Sequence, residues 1–267
     1  MNPEQLVEHP SVLLDPFSVS GKRVLVIGGT RGIGRAIALR LAQAGAEVLV
    51  NYVRERAAAD ALLAEAASGG LNIQALRADV TSEKALDELT TGVNERFQDL
   101  SALVFAAATG IHRPLEQTSS KHFDFTFALN VKAFLALVKR FAPSMQPGSS
   151  IIALSSEGAE RATPQYGLIG ASKAALEALC RQLAVELSDQ GIRVNVLAPG
   201  TVRTDAWKAL PDAEHRLTAA AERSPIGRLV TLDEIACAAQ FLVCDASSGM
   251  VGQTLVVDGG ARILGSA

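Results

Sequence analysis

The sequence has few cysteines, few aromatic residues and little net charge. Its three cysteines, Cys180, Cys237 and Cys244, are far apart and odd in number, which argues against a disulfide framework. Neither they nor the four histidines show the spacing of metal ligands, so no metal site is expected. A formal charge of −3 provides no basic surface for nucleic acid. With 4% aromatic and 48% hydrophobic residues, the core is expected to be mainly aliphatic.

Long apolar stretches and targeting signals are also missing. No segment approaches the ~18 consecutive apolar residues of a membrane-spanning helix, so no membrane contact is expected. The first twenty residues contain acidic residues and prolines, and they lack the basic and apolar regions of a signal peptide. We therefore expect a cytoplasmic protein in which residues 1–20 form a flexible N-terminal arm.

The sequence does contain a regular alternation of short apolar runs with longer helical patterns. Strands are predicted at residues 22–27, 47–51, 73–77, 100–106, 150–155, 193–198 and 254–257. Apolar strands separated by helices are typical of a parallel sheet covered on both faces. No repeat, linker or charge block divides the chain. The sequence therefore predicts the α/β class, with a Rossmann-like, doubly wound parallel sheet in a single catalytic domain over residues 21–267.

A glycine-rich turn separates the first strand from the first helix, where residues 27–34 read IGGTRGIG. Gly28 suits a tight turn, Gly32 lets backbone amides approach a pyrophosphate, and Gly34 permits close packing of the helix on the strand. The helix N-terminus adds partial positive charge. This pattern predicts dinucleotide binding, and a tight turn that binds nothing is the alternative.

The residues after the second strand favour NADP(H) over NAD(H). An NAD site usually has an acidic residue here for the ribose 2′-hydroxyl, but the strand ends in Asn51-Tyr52. Arg54 follows closely and Arg31 lies in the glycine turn, and two guanidinium groups without a carboxylate suit a 2′-phosphate. Farther along, Asp79 either accepts a hydrogen bond from the adenine amino group or caps the next helix.

One of the two tyrosines, Tyr166, stands seven residues before Lys173. Seven residues rotate an α-helix by ~700°, which returns a side chain to within ~20° of its starting direction. Both side chains therefore share a face if the helix begins by Tyr166, and Pro164 agrees with such a start. The pair is the candidate for acid catalysis, and a packed tyrosine beside an unrelated lysine is the alternative.

Together these motifs resemble the short-chain dehydrogenase/reductase superfamily from about residue 20 to 262. The shared positions are the glycine turn, Asp79, Asn130, Ser155-Ser156, Ala171-Ser172-Lys173, Pro199-Gly200 and Asp258-Gly259-Gly260. Most members have the catalytic tyrosine four residues before the lysine, where this chain has Ile169. The six-residue gap between Tyr166 and Lys173 is instead similar to the type III bacterial enoyl-(acyl carrier protein) reductases.

The resemblance implies roles for four catalytic residues. Tyr166 would hydrogen-bond the enolate oxygen, and Lys173 would hold the nicotinamide ribose while favouring a tyrosine pKa below its usual ~10. Ser156 occupies the position of the family's active-site serine, although a local capping role is equally open. Asn130 would bend a helix and organise a relay water, unless it is an ordinary helix-breaking residue.

The predicted cofactor contacts combine the glycine turn with the ends of the later strands. They are Gly28, Thr30, Arg31, Gly32, Ile33, Gly34, Asn51, Tyr52, Arg54, Asp79, Val80, Ala106, Ala107, Lys173, Pro199, Gly200, Val202 and Thr204. By resemblance, Val202 would bind the nicotinamide carboxamide through its backbone and Thr204 a cofactor phosphate. Two asparagines common in the family after the fourth strand are absent here, because residues 105–108 read FAAA.

The expected function is NADPH-dependent reduction of an enoyl thioester carried by acyl carrier protein or coenzyme A, as in fatty acid biosynthesis. Residues 205–225 are expected to form a helical lid. The nearby charges of Arg203, Lys208, His215 and Arg216 either meet the carrier or form a solvated face. By resemblance the protein would be a homotetramer. A carbonyl reductase and a non-enzymatic NADP sensor remain as alternatives, although a sensor needs no acid.

Overall fold

A computed structural model of the chain describes residues 15–209 and 212–264. Within them lie seven strands: β1 (Arg23–Ile27), β2 (Glu47–Tyr52), β3 (Ile73–Arg77), β4 (Ala102–Phe105), β5 (Ser150–Leu154), β6 (Arg193–Pro199) and β7 (Thr254–Val257). All pair in parallel, in the order β3-β2-β1-β4-β5-β6-β7. The predicted Rossmann-like, doubly wound sheet is confirmed, with β4 shorter than the apolar run suggested.

Helices connect the strands and cover the sheet. They are α1 (Gly32–Gln43), α2 (Arg56–Ser68), α3 (Glu83–Asn94), α4 (Ser120–Phe127), α5 (Phe134–Phe141), α6 (Gly167–Glu186), α7 (Ala213–Glu222) and α8 (Leu232–Val243). A π-helical turn, Ala128–Ala133, joins α4 to α5 and contains Asn130. The expected break near Asn130 is therefore a local widening of a continuous helical segment.

Alternate residues of each strand enter two separate cores. Leu25 and Ile27 of β1 pack on the face covered by α3, α5 and α6. Val24 and Val26 pack on the opposite face, which α1, α2 and α8 cover. Because both faces are buried, the strands need apolar residues at every position, which explains their continuous apolar sequence.

The carboxyl ends of the strands form the edge of the sheet that matters for function. The strand order reverses between β1 and β4, and in open α/β sheets ligands bind in the crevice at such a switch point. The glycine turn follows β1, the segment 106–114 follows β4, and Ser155 and Ser156 follow β5. The fold thus gathers the predicted motifs along one edge.

The described part of the predicted N-terminal arm packs on its own chain. Val19 is fully buried, and the Phe17 and Phe241 ring centroids lie 6.5 Å apart. The amide of Ala246 also donates to the carbonyl of Pro16. Residues 1–14 of that arm lie outside the described residues. In the part of the chain that is described, no helix combines the length and apolarity needed to cross a bilayer.

Candidate active site

The glycine turn is packed too tightly for side chains. Gly28 has a left-handed backbone (φ 76°), and a Cβ on it would lie 2.9 Å from the Cα and N atoms of Ala107. A Cβ on Gly34 would lie 2.3 Å from the carbonyl oxygen of Gly28 and 3.2 Å from the Cβ of Ala106. The glycines therefore let α1 approach β1 and the segment after β4.

The N-terminus of α1 is open to a ligand. Arg31 precedes the helix in an extended conformation, and no side chain caps the first turn. Uncapped amides and the helix dipole favour an anion at this position. A cavity of about 600 Å³ adjoins it, with Thr30, Arg31, Gly32 and Thr204 among its lining residues. This arrangement fits the pyrophosphate of a dinucleotide.

Asn51 has a structural role at the end of β2. Its side chain is buried, and Nδ2 donates to the carbonyl of Ala78 at 3.0 Å. Its own carbonyl accepts from the amides of Gly28 and Gly29. Asn51 therefore joins β2, the end of β3 and the glycine turn, whether or not it also contacts a cofactor. Arg54 is exposed beyond it.

Asp79 shapes the turn before α3. Its Oδ1 accepts from the amide of Thr81 at 3.0 Å and from the Thr81 hydroxyl at 2.6 Å. The cap of α3 is instead Ser82, whose hydroxyl accepts from the amide of Ala85. Val80 lies in the core beneath this turn. These bonds form a turn of the kind that Asp commonly stabilises, and they do not require a ligand.

Lys173 is almost completely buried, with 3% of its surface exposed. Its Nζ donates to the carbonyl of Leu154, at the end of β5, over 2.6 Å. Burial lowers the pKa of Lys173 to about 8, and the charge of Glu177 acts in the opposite direction. Burial also raises the pKa of the neighbouring Cys180 thiol to about 12, so that group is uncharged at neutral pH. The Lys173 side chain is therefore an ammonium group at neutral pH, and it loses its proton under mildly alkaline conditions.

Tyr166 lies at the start of the same helix. It caps α6 with non-helical backbone angles, so the helix begins at Gly167, one residue later than expected. Its ring lies over Gly158, where a Cβ would be 2.5 Å from Cδ1, and its centroid is 5.5 Å from that of His112. A larger residue at position 158 would therefore push the ring aside.

The pKa of Tyr166 is raised, which contradicts the expectation of a lowered value. Burial is the largest cause, the charge of Glu157 adds to it, and a hydrogen bond with Ser156 acts in the opposite direction. The positive charge of Lys173 favours a lower tyrosine pKa, but the loss of hydration on burial dominates here. The phenol consequently keeps its proton at neutral pH, as a hydrogen-bond donor must.

The segment after β4 covers the position where most family members have their tyrosine. Ile169 is 6% exposed, and a Cβ on Gly110 would lie 2.2 Å from its Cγ1. The backbone of this segment therefore lies directly on Ile169. Three residues later, the amide of Arg113 donates to the carbonyl of Gln165, whose backbone is left-handed (φ 62°). That conformation is unusual for a residue other than glycine.

Asn130 fastens the same segment to the helices. Its buried Oδ1 accepts from the amide of Thr109 at 2.9 Å. Its Nδ2 donates to the carbonyl of Thr109 and to the hydroxyl of Ser172, each at 2.8 Å. Three hydrogen bonds from one buried side chain are more than a helix-breaking role requires. Asn130 therefore positions the segment after β4 relative to α6.

The segment after β6 closes the other side of the crevice. The Thr204 methyl group lies 3.7 Å from where a Cβ on Gly32 would be, and the indole Nε1 of Trp207 donates to the carbonyl of Val202 at 2.8 Å. Arg203 pairs with Glu214 at the start of α7 over 2.6 Å. A helix thus forms in the expected lid, and Gly200 contacts Asp258 closely at its base.

The predicted residues lie in two groups along the carboxyl edge of the sheet. Arg31, Asn51, Arg54 and Asp79 lie beside β2 and β3, whereas the catalytic set, Asn130, Ser156, Tyr166 and Lys173, lies beside β5 and α6. In the described ranges, no group of three or more His, Cys, Asp or Glu residues is arranged to hold a metal ion.

Two residues of this site were missed by sequence reasoning. His112 faces the Tyr166 ring, and its pKa is lowered by burial and by the charge of Arg216. Glu177 is buried one helical turn after Lys173. A carboxylate on an otherwise apolar helix face was a detectable signal for Glu177. Nothing in the local sequence around His112 marks it, because its contacts are with residues distant in the chain.

Comparison with known proteins finds several similar chains. A family model described as enoyl-(acyl carrier protein) reductase matches residues 28–262. The 1-cyclohexenylcarbonyl-CoA reductase of Streptomyces collinus is 34% identical over 242 residues, covering 90% of this chain and 86% of the relative. The enoyl-(acyl carrier protein) reductase (NADH) 1 of Rhizobium meliloti is 32% identical, covering 92% of each.

Other similar proteins carry different names. The hydroxynaphthalene reductase-like protein Arp2 of Metarhizium robertsii is 31% identical over 258 residues, covering 92% of this chain and 97% of the relative. A crystal structure of a dehydrogenase/reductase from Sinorhizobium meliloti 1021 superposes with a TM-score of 0.86 at 34% identity. That match covers 92% of this chain and 97% of the solved one.

Proposed function

The chain belongs to the short-chain dehydrogenase/reductase superfamily of nicotinamide-dependent oxidoreductases, and we propose that it reduces the C2=C3 double bond of an enoyl thioester with NADPH. One observation carries the proposal. Tyr166 is half-buried at the start of α6, seven residues before Lys173, while Ile169 and Gly110 fill the position four residues before that lysine. We also propose that the boundary between the N-terminal arm and the catalytic domain lies near residue 20.

The spacing suits the chemistry of an enoyl thioester. In carbonyl reduction, the hydride acceptor carries the oxygen that takes the proton. In enoyl reduction, hydride goes to C3 while charge develops on the thioester oxygen bonded to C1. Moving the tyrosine from four to seven residues before the lysine shifts its Cα by ~4.5 Å along the helix axis and turns it by ~60° around that axis. The donor then reaches an atom displaced from the hydride acceptor.

The roles of the side chains follow from their surroundings. The bound cofactor supplies the hydride. Tyr166 donates a hydrogen bond to the developing oxyanion, and its raised pKa keeps the proton available. Lys173 holds the nicotinamide ribose from its buried position beside Leu154. Ser156 holds the amide of Gly158 in the turn beneath the Tyr166 ring, and Asn130 fixes the segment that covers the tyrosine.

NADPH is the proposed cofactor because Arg31 and Arg54 lie at the adenosine end, where β2 ends without a carboxylate. One relative is named for NADH, so the choice is tested directly. The Arg31→Ala, Arg54→Ala double variant is expected to bind NADPH about 10²–10⁴-fold more weakly, because each of the two lost bonds to a charged group contributes about 1.5–3 kcal/mol. NADH binding should change little. Equal losses for both cofactors would contradict the preference for NADPH.

The carrier is proposed to be acyl carrier protein or coenzyme A, since two relatives are named for these groups. We extend the proposal to a cytoplasmic homotetramer acting in fatty acid biosynthesis or a related pathway. Exposed apolar side chains on α6 and on β7, at the edge of the sheet, support association: Val185 is 72% exposed and Val256 is 38% exposed.

The decisive experiment follows NADPH oxidation with crotonyl and acetoacetyl thioesters, each on coenzyme A and on acyl carrier protein. Oxidation with the enoyl substrates alone supports the proposal, and oxidation with the keto substrates alone overturns it. Tyr166→Phe is expected to lower kcat by about 10²–10⁴ with nearly unchanged NADPH affinity. Lys173→Ala should weaken both binding and turnover, whereas the exposed Lys139→Ala serves as its control.

Carbonyl reduction is the second candidate, because the Metarhizium relative is named as a hydroxynaphthalene reductase-like protein. Tyr166 would then serve as the acid at its unusual spacing. Tetralone-type ketones added to the substrate panel would detect this activity. Tight NADPH binding without turnover of any substrate would favour the remaining alternative, a non-enzymatic protein that senses NADP.

A further inference from the structure

Three successive residues, the last of β5 and the two that follow it, each contact a polar group in α6 or in the turn packed against it. The carbonyl of Leu154 accepts from Lys173 Nζ, and the hydroxyl of Ser155 donates to Glu177 Oε1. The third residue, Ser156, accepts from the amide of Gly158 in the turn beneath the Tyr166 ring, and its hydroxyl opposes the rise in the pKa of Tyr166 that burial causes. The strand end therefore sets the position of Tyr166, Lys173 and Glu177 together. Two of these groups have a role in the proposed reaction, and Glu177 so far has none.

Glu177 lies in surroundings that are costly for a carboxylate. It is 5% exposed, and its neighbours on α6, Leu176 and Cys180, belong to the core. A buried charge is tolerated where it is hydrogen-bonded and electrostatically compensated. Ser155 supplies the hydrogen bond, and the ammonium of Lys173, one helical turn away, supplies the opposite charge. An uncharged residue of similar size would avoid this cost, which points to a use for the carboxylate.

We propose that Glu177 is a positioning residue, which holds Ser155 and the end of β5 against α6 and places its carboxylate one helical turn from the Lys173 ammonium. The inference rests on the proposed function for the role of Lys173 in binding the nicotinamide ribose. It does not depend on whether the second substrate is an enoyl thioester or a ketone.

The charges around Lys173 give this role a measurable consequence. Burial lowers the pKa of Lys173, and the charge of Glu177 on α6 opposes that effect. Cys180 on the same helix is a neutral thiol, because burial raises its pKa to about 12. Tyr166 begins the same helix, and Glu157, in the turn packed against it, acts on the tyrosine. Without the Glu177 charge, burial should lower the pKa of Lys173 further, so the ammonium should lose its proton at a lower pH.

The test uses Glu177→Gln, which keeps an acceptor oxygen for Ser155 and removes only the charge. NADPH dissociation constants and kcat/KM are measured from pH 6 to 10. The alkaline loss of NADPH binding is expected to move about one pH unit lower. Ser155→Ala removes the hydrogen bond and keeps the charge, so kcat should fall while the alkaline limb stays in place. Glu186→Gln, exposed on the same helix, is the matched control.

If Glu177→Gln loses NADPH binding at the same alkaline pH as the wild-type protein, the inference is overturned. If that variant does not fold, Glu177→Asp replaces it. Aspartate retains the charge but is too short for the bond to Ser155, so kcat should fall with a wild-type alkaline limb, and wild-type kcat would overturn the positioning role. The binding measurements need no second substrate. A second possible result is that Glu177→Gln shifts the alkaline loss of NADPH binding in a protein that does not reduce enoyl thioesters. That result would refute the proposed function and leave the inference about Glu177 standing.

Discussion

The contact between Gly110 and Ile169 predicts the effect of adding one methyl group. In Gly110→Ala the new Cβ would lie 2.2 Å from Ile169 Cγ1 and 2.8 Å from Cδ1. Ile169 is held in one rotamer by its helix, because a β-branched side chain has little freedom there. The segment after β4 must therefore move by more than ~1 Å to reach an ordinary carbon–carbon contact of ~3.5 Å.

The expected cost is that of overpacking a tightly filled site, about 1–3 kcal/mol. For a chain of this size, a loss of about 2 kcal/mol corresponds to a fall in Tm of about 4–8 °C. Activity should fall as well. The displaced segment carries His112, which faces Tyr166, and Arg113, whose amide holds the strained Gln165.

A double-mutant cycle isolates this contact. Ile169→Ala alone should cost about 2–5 kcal/mol through lost burial and a cavity. It also removes Cγ1 and Cδ1, so the nearest remaining atom to a methyl group added at position 110 is the Cβ of residue 169, at 3.4 Å. In that background Gly110→Ala should be neutral or stabilising, giving a coupling energy of about 2 kcal/mol.

The measurements are urea unfolding and kcat/KM for the four proteins of the cycle. Gly249→Ala is the control, because a Cβ there meets nothing within 4 Å and its φ is not positive. If the two substitutions are additive within about 0.5 kcal/mol, the segment does not rest on Ile169 and the reasoning is refuted.

Three further predictions concern the catalytic set. Between about pH 8 and the ordinary Lys pKa of 10.5, the unfolded chain keeps a proton that folded Lys173 has released, so the free energy of unfolding should rise with pH relative to Lys173→Met. Parallel stability curves for the two proteins in urea would show that Lys173 is not buried. Asn130→Ala leaves the amide and carbonyl of Thr109 unpaired and should cost about 1–3 kcal/mol for each buried group in urea unfolding. A loss below about 0.5 kcal/mol would mean that water replaces the side chain. Gly158→Ala should displace the Tyr166 ring and lower kcat more than it changes NADPH affinity, and an unchanged kcat would remove Tyr166 from the reaction.

Local sequence patterns predicted the fold well. The apolar runs located all seven strands, because residues buried on both faces of a parallel sheet must be apolar at every position. That the side chains of Tyr166 and Lys173 share one helix face stays a prediction, because Tyr166 caps α6 with non-helical backbone angles. Helix α6 begins one residue later than expected, at Gly167. Near Asn130 the sequence predicted a break in the helix, and the structure has a π-helical turn there.

The chemistry of the site was less predictable from the sequence. The direction of the Tyr166 pKa shift was wrong, because hydration depends on how completely other segments cover a side chain. The bond of Asn51 to Ala78 and that of Asp79 to Thr81 gave these residues structural roles beside the proposed ones.

Residues close together in the chain were enough to predict the α/β sheet and the glycine turn, because apolar runs and glycine spacing are local patterns. Only the tertiary structure decided that Gly110 covers Ile169, that Asn130 holds Thr109, and that Ser155 holds Glu177. These pairs are separated by 21 to 59 positions. Such contacts arise when helices and segments pack on the sheet, and no local periodicity encodes which distant side chains will meet.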